Sequence, residues 1–210
     1  MDRSAAAGGG ACWSHGCGQV SLIDTDAAIA VAAASRARLI AIDGLPVAGK
    51  STLADRMALA LAAEQVFLDD FVKPEALWQS HRVAAFPFDY IRYDEFVAAV
   101  QAIARGETCR YAPYDWTTGA VSGTLREIPP GARVVVEGTS ALHPRLAPLY
   151  DLRFWVESDP ATTLSASLAR GVGRWETEWR ELFLPSVALY LETRPWERAD
   201  HRVAGRGSAG

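Results

Sequence analysis

The amino-acid sequence predicts a three-layer α/β fold, in which helices cover both faces of a parallel sheet of about five strands. The first reason is that short apolar runs of strand length alternate with helical stretches along most of the chain, an order that produces parallel strands joined by helical crossovers. The second is that two of these runs end in carboxylates and a third runs into a glycine-rich turn. Open α/β sheets bind ligands beyond the carboxyl ends of their strands, so a functional site is expected at that edge.

The first third of the chain is predicted to contain a helix, a strand, a second helix and a second strand. The first helix is predicted from an alanine-rich stretch that follows side chains able to cap a helix, and the second from apolar residues at the spacing of a buried helix. The expected elements are a helix from Asp24 to about Ser35 with Asp24 or Thr25 as its N-cap, a strand over 38–43, a helix from the turn to about residue 63, and a strand that starts at Val66. Asp69 and Asp70 end the second strand, which places their carboxylates at the carboxyl edge of the sheet.

The rest of the chain continues the alternation after an aromatic, irregular excursion. Glycine, proline and β-branched runs mark the boundaries between its segments. The expected segments are a substrate-covering excursion over 71–92, a helix over 93–105, a small hairpin over 109–128, strands over 134–137 and 152–156, a helix from residue 160 to about 170, a lid over 170–174, a helical stretch over 175–191 with a break near Pro185, and a strand over 199–203. Glu137, at the end of its strand, is expected beside the turn at 44–51.

That turn is the most specific motif in the chain. Residues 44–51 read Gly-Leu-Pro-Val-Ala-Gly-Lys-Ser, a complete match to the phosphate-binding pattern GxxxxGK(S/T) between a strand and a helix. Gly44 and Gly49 let the backbone approach a phosphate, and inward N–H groups with a helix N-terminus bind the anion. Lys50 is one of only two lysines in the chain. The pattern predicts a Walker A loop, in which Lys50 reaches the β- and γ-phosphates and Ser51 ligates Mg²⁺.

Composition limits the classes of partner. The chain has 210 residues, of which 50% are hydrophobic and 22% charged, enough for one well-buried core. A formal net charge of −4 and scattered arginines argue against nucleic acid, which needs a concentrated positive face. Because no apolar run approaches a membrane span and the first residues do not resemble a signal peptide, neither a membrane partner nor export is expected.

The N-terminal residues are read as an extension to the domain. Residues 1–20 are rich in alanine, glycine and serine without periodicity, which predicts a flexible segment before a single domain over 21–210. Cys12, His15 and Cys17 supply too few ligands for a typical zinc site. The chain has three cysteines, Cys12, Cys17 and Cys109. An odd number of cysteines favours a reducing, cytoplasmic location.

Several segments together resemble the uridine kinase and phosphoribulokinase group of P-loop kinases, over roughly residues 38–203. In chain order they are Gly44–Ser51, Leu68–Phe71, Phe88-Asp89, the turn at Gly106, Pro113–Asp115, Val136–Gly138, Leu149–Leu152 and Arg170. The resemblance implies a P-loop NTPase fold, ATP and Mg²⁺ as cofactors, and a small-molecule hydroxyl compound, a nucleoside or a sugar-like molecule, as phosphoryl acceptor. It leaves the oligomeric state open.

The resemblance also implies roles for individual residues. Asp69 corresponds to the catalytic aspartate and would act with Lys50, while Ser51, Asp69 and Glu137 would hold Mg²⁺ directly or through water. The residues expected to bind the nucleotide are Gly44, Ala48, Gly49, Lys50, Ser51, Thr52, Arg170 and Arg174. The alternatives are a backbone-capping carboxylate for Asp69, a buried ion pair for Glu137 and a solvated helix end for the two arginines.

The acceptor half is less well matched. Asp89 and Tyr114 correspond to positions that touch the nucleoside, although each could equally be a hydrogen-bonded structural side chain, and Asp70 is the alternative base if the register is off by one. Val72, Gly119 and Ser167 stand where the group has an aromatic residue, a histidine and an arginine. These departures weaken recognition of uridine more than the handling of phosphate.

Two other functions remain open at this stage. One is a catalytically degenerate ATP-binding regulatory protein; a GTPase is disfavoured because the chain has no asparagine for the Asn-Lys-x-Asp motif that reads guanine. The other is a nucleoside-monophosphate kinase, which would need arginines for a second phosphate. Only Arg82 and Arg92 are available in the first excursion, so this function ranks below transfer to a hydroxyl.

Overall fold

The central element is a six-stranded, fully parallel sheet. The computed structural model describes residues 21–80, 82–169 and 175–207. The strands of the sheet are β1 (Leu22–Ile23), β2 (Leu39–Gly44), β3 (Glu64–Phe67), β8 (Val134–Glu137), β9 (Leu152–Glu157) and β10 (His201–Ala204), in the spatial order β1-β10-β9-β2-β8-β3. The predicted α/β fold with a parallel sheet is therefore confirmed, with one more strand than expected because β1 pairs with β10.

Helices connect and cover these strands. They are α1 (Thr25–Ala34), α2 (Lys50–Leu61), α3 (Glu75–Gln79), α4 (Tyr93–Ala104), α5 (Pro160–Ala169), α6 (Glu176–Glu178) and α7 (Leu184–Leu191), with a π-helical segment at Trp179–Phe183 and 3₁₀ turns at Leu68–Phe71, Ala147–Leu149 and Pro195–Arg198. The side chain of Asp24 caps α1 by accepting a hydrogen bond from Ala27 N. Within the described part of the chain, no helix is long and apolar enough to cross a membrane.

Two interior strands of the sheet, β2 and β8, are buried along their whole length. All six residues of β2 and all four of β8 are buried. Because both faces of a central parallel strand are covered, such strands read as near-continuous apolar runs. This burial explains why both strands could be located from the sequence, and it makes their polar ends, Asp43 and Glu137, exceptional.

Three regions differ in detail from the predicted elements. Asp69 and Asp70 lie in the 3₁₀ turn Leu68–Phe71, one step beyond the end of β3. The excursion over 71–92 contains the short helix α3. The hairpin consists of two successive antiparallel ribbons, β4 (Cys109–Tyr111) with β7 (Arg126–Ile128) and β5 (Tyr114–Asp115) with β6 (Ala120–Val121).

Some predicted features fall on residues for which no structure is given. The N-terminal extension over 1–20, with Cys12, His15 and Cys17, and the lid over 170–174 lie outside the described residues. The same holds for Arg170 and Arg174, so their expected contact with phosphate is a prediction from the sequence alone.

Candidate active site

The loop between β2 and α2 is shaped by two glycines. Gly44 has φ 151°, and a Cβ added there would lie 2.6 Å from the carbonyl oxygen of Val156, so the loop passes too close to β9 for a side chain. Gly49 precedes α2 with φ 109°, a left-handed conformation, and a Cβ added there would meet nothing within 4 Å. The space over the N-terminus of α2 is therefore open, and the first N–H groups of that helix are directed towards it.

Lys50 lies at the base of this open space. Its Nζ donates to the Leu45 carbonyl at 2.8 Å and to Thr139 Oγ1 at 3.2 Å, and it lies 3.7 Å from Glu137 Oε1. Thr139 donates in turn to the Gly44 carbonyl at 3.0 Å. The lysine side chain is buried, with 6% of its surface exposed, so a cation is fixed directly beneath the loop.

Glu137 joins Lys50 to Ser51. The Ser51 hydroxyl donates to Glu137 Oε2 at 3.1 Å. Burial raises the pKa of Glu137 to about 7, while Lys50 opposes the rise and the nearby charge of Asp69 adds to it. A carboxylate of this kind is incompletely ionised at neutral pH, and a bound cation would favour its charged form.

Asp69 faces the same space from the opposite side. It is exposed on the 3₁₀ turn after β3 and lines one cavity with Lys50, Ser51 and Glu137. Its charge raises the pKa of both Glu137 and Tyr90, which places it close to both side chains. Lys50, Ser51, Asp69 and Glu137, four of the residues predicted from the sequence, are therefore brought together at the carboxyl ends of β2, β3 and β8.

Asp70 is directed elsewhere. Its carboxylate accepts a hydrogen bond from the Tyr111 hydroxyl at 2.8 Å and lies 3.4 Å from Arg126 Nη1. Both partners belong to the β4–β7 ribbon, so Asp70 links the turn to the hairpin. It is absent from the lining of the cavity among the described residues.

The residues expected at the acceptor also lie outside the main cavity. Asp89 is exposed and borders a second, smaller hollow of about 310 Å³ with Lys73 and Leu77. Tyr114 is buried and packs edge-to-face on Trp116, with ring centroids 4.9 Å apart. It is Trp116 that reaches the main cavity.

Ala48 and Thr52 complete the predicted loop set. Ala48 is buried, and its carbonyl accepts the backbone N–H of Arg206 at 3.0 Å. The Arg206 side chain also donates to the Val47 carbonyl at 3.2 Å. Thr52 is exposed in the first turn of α2. The segment after β10 thus supports the outer side of the loop, a contact that the motif itself does not indicate.

Asp43 was not recognised from the sequence as part of the site. It is fully buried at the end of β2, where Oδ1 accepts from Gly44 N at 2.6 Å and Ser140 N at 3.0 Å, and Oδ2 accepts from Leu142 N at 2.7 Å and the Tyr190 hydroxyl at 2.6 Å. Burial raises its pKa, and these four donors oppose the rise. Asp43 therefore fixes the start of the loop to the turn after β8 and to α7.

The aromatic wall of the cavity was also missed. The cavity has a volume of about 520 Å³. Its polar end is formed by the loop and the two carboxylates, and its other end by aromatic rings: Trp78, Tyr90, Trp116, Trp175, Trp179 and Phe183. Trp175 and Trp179 are one helical turn apart in the sequence, a spacing typical of core packing, so only the high tryptophan content, seven in the chain, could have drawn attention to them.

The donor set at the polar end fits a small, hard cation. Ser51 and Glu137 are in contact, Asp69 faces them, and hydroxyl and carboxylate oxygens are the ligands that Mg²⁺ accepts while keeping waters and phosphate oxygens. No group of three or more histidine, cysteine, aspartate or glutamate side chains suited to hold a metal occurs among residues 21–80, 82–169 and 175–207. The polar end therefore fits a metal that arrives with a phosphate ligand better than a metal held by protein alone.

No protein-family model matches the chain. Among solved structures, it is similar to a protein from Silicibacter sp. TM1040 described as a candidate fructose transport system kinase, with 21% identity and a TM-score of 0.63 over 87% of this chain and 98% of the other. It is also similar to a candidate uridine kinase from Bacillus stearothermophilus, with 18% identity and a TM-score of 0.61 over 85% and 96% of the two chains. These similarities establish that the chain has the fold of these P-loop kinases.

Proposed function

We propose that this chain, which has the fold of small-molecule P-loop kinases, transfers the γ-phosphoryl group of ATP to a hydroxyl of a nucleoside or sugar-like acceptor. One observation carries the proposal: Lys50, Ser51, Glu137 and Asp69 line a single cavity, and much of the remaining lining of that cavity is aromatic. A carboxylate that is exposed to the cavity, as Asp69 is, suits a second substrate with a hydroxyl group. The arrangement supports an enzyme with alcohol groups as acceptors, similar to the uridine kinases.

The phosphate half would act by position and charge. The N–H groups at the start of α2 and the Lys50 ammonium would bind the phosphates of ATP, because both present positive charge to the open space above Gly49. To reach a phosphate, Lys50 would exchange its hydrogen bonds to Leu45 and Thr139 for bonds to phosphate oxygens. Most of the catalysis of phosphoryl transfer comes from such positioning and charge stabilisation.

Asp69 would serve the acceptor. Its carboxylate is exposed to the cavity and can accept a hydrogen bond from an acceptor hydroxyl, orient that oxygen towards the phosphoryl group and take up its proton. Asp70 is less suited to this role, since its carboxylate already accepts the Tyr111 hydroxyl and faces Arg126.

Ser51, Glu137 and Asp69 are the residues that would hold Mg²⁺. When bound, Mg²⁺ would neutralise charge on the phosphate oxygens. The protein's own contribution is the contact between Ser51 and Glu137, which keeps the two oxygens together at the mouth of the loop. Glu137 is buried and Ser51 is exposed, so this contact lies at the surface of the cavity.

The variant Asp69→Asn tests the role of the base. We expect its acceptor-dependent ADP release to fall by about 10²- to 10⁴-fold, the usual contribution of a general base, while nucleotide binding is kept, because Lys50 and the N–H groups of the loop are unchanged. The neighbouring variant Asp70→Asn is the matched control and should keep activity much closer to wild type. Near-wild-type turnover in Asp69→Asn, or a larger loss in Asp70→Asn, would refute the assignment.

A regulatory ATP-binding protein is the alternative from another class. It would release ADP at the same slow rate with or without acceptors, whereas a kinase releases ADP faster when its acceptor is present. Coupled measurement of ADP release against a panel of nucleosides and sugars therefore separates the two functions.

A further inference from the structure

Arg92 binds the backbone of the turn that carries Asp69. The guanidinium Nη2 donates to the Asp70 carbonyl at 2.8 Å, and Nε donates to the Val72 carbonyl at 3.4 Å. The backbone N–H of the same residue donates to the Phe71 carbonyl at 2.7 Å. Three consecutive carbonyls at the end of the 3₁₀ turn therefore accept hydrogen bonds from one residue, although the carbonyls at a helix end have no partner within the helix itself.

The rest of the Arg92 side chain is fixed by two other elements. Nη2 also donates to the Ala112 carbonyl, at 2.7 Å, between the two ribbons of the hairpin. Nη1 donates to Glu95 Oε2 at 2.5 Å, in the first turn of α4. The guanidinium carbon lies 5.7 Å from the centroid of the Phe71 ring, and 11% of the side chain is exposed. Arg92 thus joins the turn, the hairpin and α4.

These contacts depend on the shape of an arginine side chain. A guanidinium presents five N–H donors in a rigid, planar fork, whereas a lysine ammonium is a point charge on a flexible stem. A lysine at position 92 would keep the positive charge but would not reproduce the fixed spacing of the donors. Arg92→Lys is therefore a change in geometry at constant charge.

Arg92 does not face a substrate. It is absent from the described lining of both cavities, and each nitrogen of its guanidinium donates to a protein acceptor. A nucleoside-monophosphate kinase would need an arginine of this excursion to bind a second phosphate. Because Arg92 is engaged by the protein, the structure disfavours that role for it.

Resting on the proposed function, we propose that Arg92 is a positioning residue for phosphoryl transfer, which holds the carbonyls of residues 70–72 and thereby fixes the carboxylate of Asp69 in the cavity. Asp69 directly precedes the held carbonyls, so a loosened turn would move its carboxylate relative to the acceptor hydroxyl. A displacement of about 1 Å can lower the rate by about 10²-fold. Arg92 acts through Asp69 and makes no contact with either substrate.

Arg133 provides a matched control for the variant Arg92→Lys. Its guanidinium also binds three backbone carbonyls, those of Ala32, Ser35 and Ala37, at 3.4, 3.0 and 2.7 Å. Arg133 directly precedes β8 and Ala37 lies before β2, so these contacts are at the amino ends of the strands, on the edge of the sheet opposite the site. Arg133→Lys therefore removes the same kind of contact at a distance from Asp69.

Steady-state kinetics of acceptor-dependent ADP release compare the two variants. We expect Arg92→Lys to lower kcat by about 10²-fold and to keep the KM for Mg·ATP close to that of the wild type, because the loop at 44–51 is unchanged. Arg133→Lys should leave both constants close to wild type. Thermal melts establish that the variants are folded. If Arg92→Lys does not fold, Glu95→Ala removes only the Nη1 contact, at a side chain 55% exposed, and should show the same pattern with a smaller loss.

A double-variant cycle distinguishes positioning from a general loss of packing. In the Asp69→Asn background, Arg92→Lys should lower kcat little further, because the carboxylate through which Arg92 acts is already absent. A purely structural role would lower kcat by the same factor in both backgrounds.

Hydrogen exchange gives a measurement that does not depend on turnover. The Lys73 N–H donates to the Tyr90 carbonyl at 2.8 Å, and the Arg92 N–H donates to Phe71, so these amides are protected while the turn is held. Both should exchange faster in Arg92→Lys than in the wild type, because local opening exposes them. Arg133→Lys should exchange like the wild type at these positions.

The outcomes separate this inference from the proposed function. The positioning role is overturned by equal losses of kcat in Arg92→Lys and Arg133→Lys, by an undiminished loss in the Asp69→Asn background, or by unchanged exchange at the amides of Lys73 and Arg92; acceptor-dependent ADP release by the wild type would still support a kinase. A wild type whose ADP release does not depend on any acceptor would overturn the kinase function, and faster exchange in Arg92→Lys would still support the hold of Arg92 on the turn.

Discussion

At the scale of single residues, the two buried carboxylates Asp43 and Glu137 have different surroundings. Asp43 accepts four hydrogen bonds from protein donors, so its charge is stabilised by groups that do not move with ligand binding. Glu137 has the Ser51 hydroxyl and, at 3.7 Å, the Lys50 ammonium, both of which are expected to turn towards a nucleotide. Glu137 is therefore the carboxylate whose ionisation should respond to pH and to ligands.

The first prediction concerns the pH dependence of stability. In the unfolded chain Glu137 ionises near pH 4.5, but in the folded protein its pKa is about 7. Between these values the folded state binds more protons, so the free energy of unfolding should fall as pH rises through this window. Denaturant unfolding without nucleotide or Mg²⁺ should show the wild type losing up to about 3 kcal/mol relative to Glu137→Gln.

The control for this experiment is built into the comparison. Asp43 also has a raised pKa, but it is present in both proteins, and its effect cancels in the difference. The prediction is contradicted if the free energy of unfolding of the wild type, relative to that of Glu137→Gln, stays constant or rises from pH 4.5 to 7. That result would show that the pKa of Glu137 is not raised in the folded state.

The GxxxxGK(S/T) pattern was sufficient to locate the loop residues. The sequence did not show in which direction the side chains outside the loop would point. Asp69 and Asp70 are adjacent on a 3₁₀ turn, where successive side chains are about 120° apart around the axis, so one faces the cavity and the other the hairpin. Tyr114 lies in the two-residue strand β5 and Trp116 in the turn after it, so alternation along a strand does not predict which of the two reaches the cavity. Single-residue spacing does not resolve such choices.

At the scale of elements, the end of β8 packs directly against the turn that carries Asp69. A Cβ added to Gly138 would overlap the Cβ of Leu68, the first residue of that turn. The glycine therefore sets the distance between the strand that carries Glu137 and the turn that carries Asp69, two residues proposed to hold the same Mg²⁺.

The second prediction follows from this contact. Gly138→Ala should push the turn outwards, cost about 1–3 kcal/mol of stability from overpacking, and lower kcat by about 10²-fold if Asp69 moves by about 1 Å. The matched control is Gly123→Ala, since a Cβ at Gly123 would meet nothing within 4 Å. Steady-state kinetics and thermal melts of both variants test the prediction; equal effects of the two changes would contradict it.

Long periodic elements were predictable and short ones were not. The helices α1, α2 and α4 lie within a few residues of their predicted bounds. An alanine-rich run and the Asp24 cap mark α1, apolar residues at helical spacing mark α2, and Gly106 marks the end of α4. Strand β1 has two residues, Leu22 and Ile23, too few to show a period, and it forms only because β10 offers a parallel edge. The sequence of the π-helical segment has the same pattern of apolar and polar residues as an ordinary helix, so it could not be identified as π-helical in advance.

For the whole molecule, the third prediction is a nucleotide-dependent gain in stability. A ligand that binds only the folded state at 100 times its dissociation constant stabilises by about 2.7 kcal/mol, which corresponds to a rise in Tm of roughly 5–10 °C for a domain of this size. Differential scanning fluorimetry with Mg·ATP should show this rise in the wild type and a much smaller rise in Lys50→Ala. Equal rises in both proteins would place the nucleotide elsewhere.

The support of the loop by Asp43 and Arg206 has a consequence for how the protein is made. Residues 43–48 are held by Tyr190 from α7 and by the backbone N–H of Arg206 after β10, so the loop receives its final supports from segments synthesised about 150 residues later. During translation, affinity for nucleotide should therefore emerge only after the segments that carry Tyr190 and Arg206 have left the ribosome. Shorter nascent chains, which lack these supports, should bind ATP more weakly.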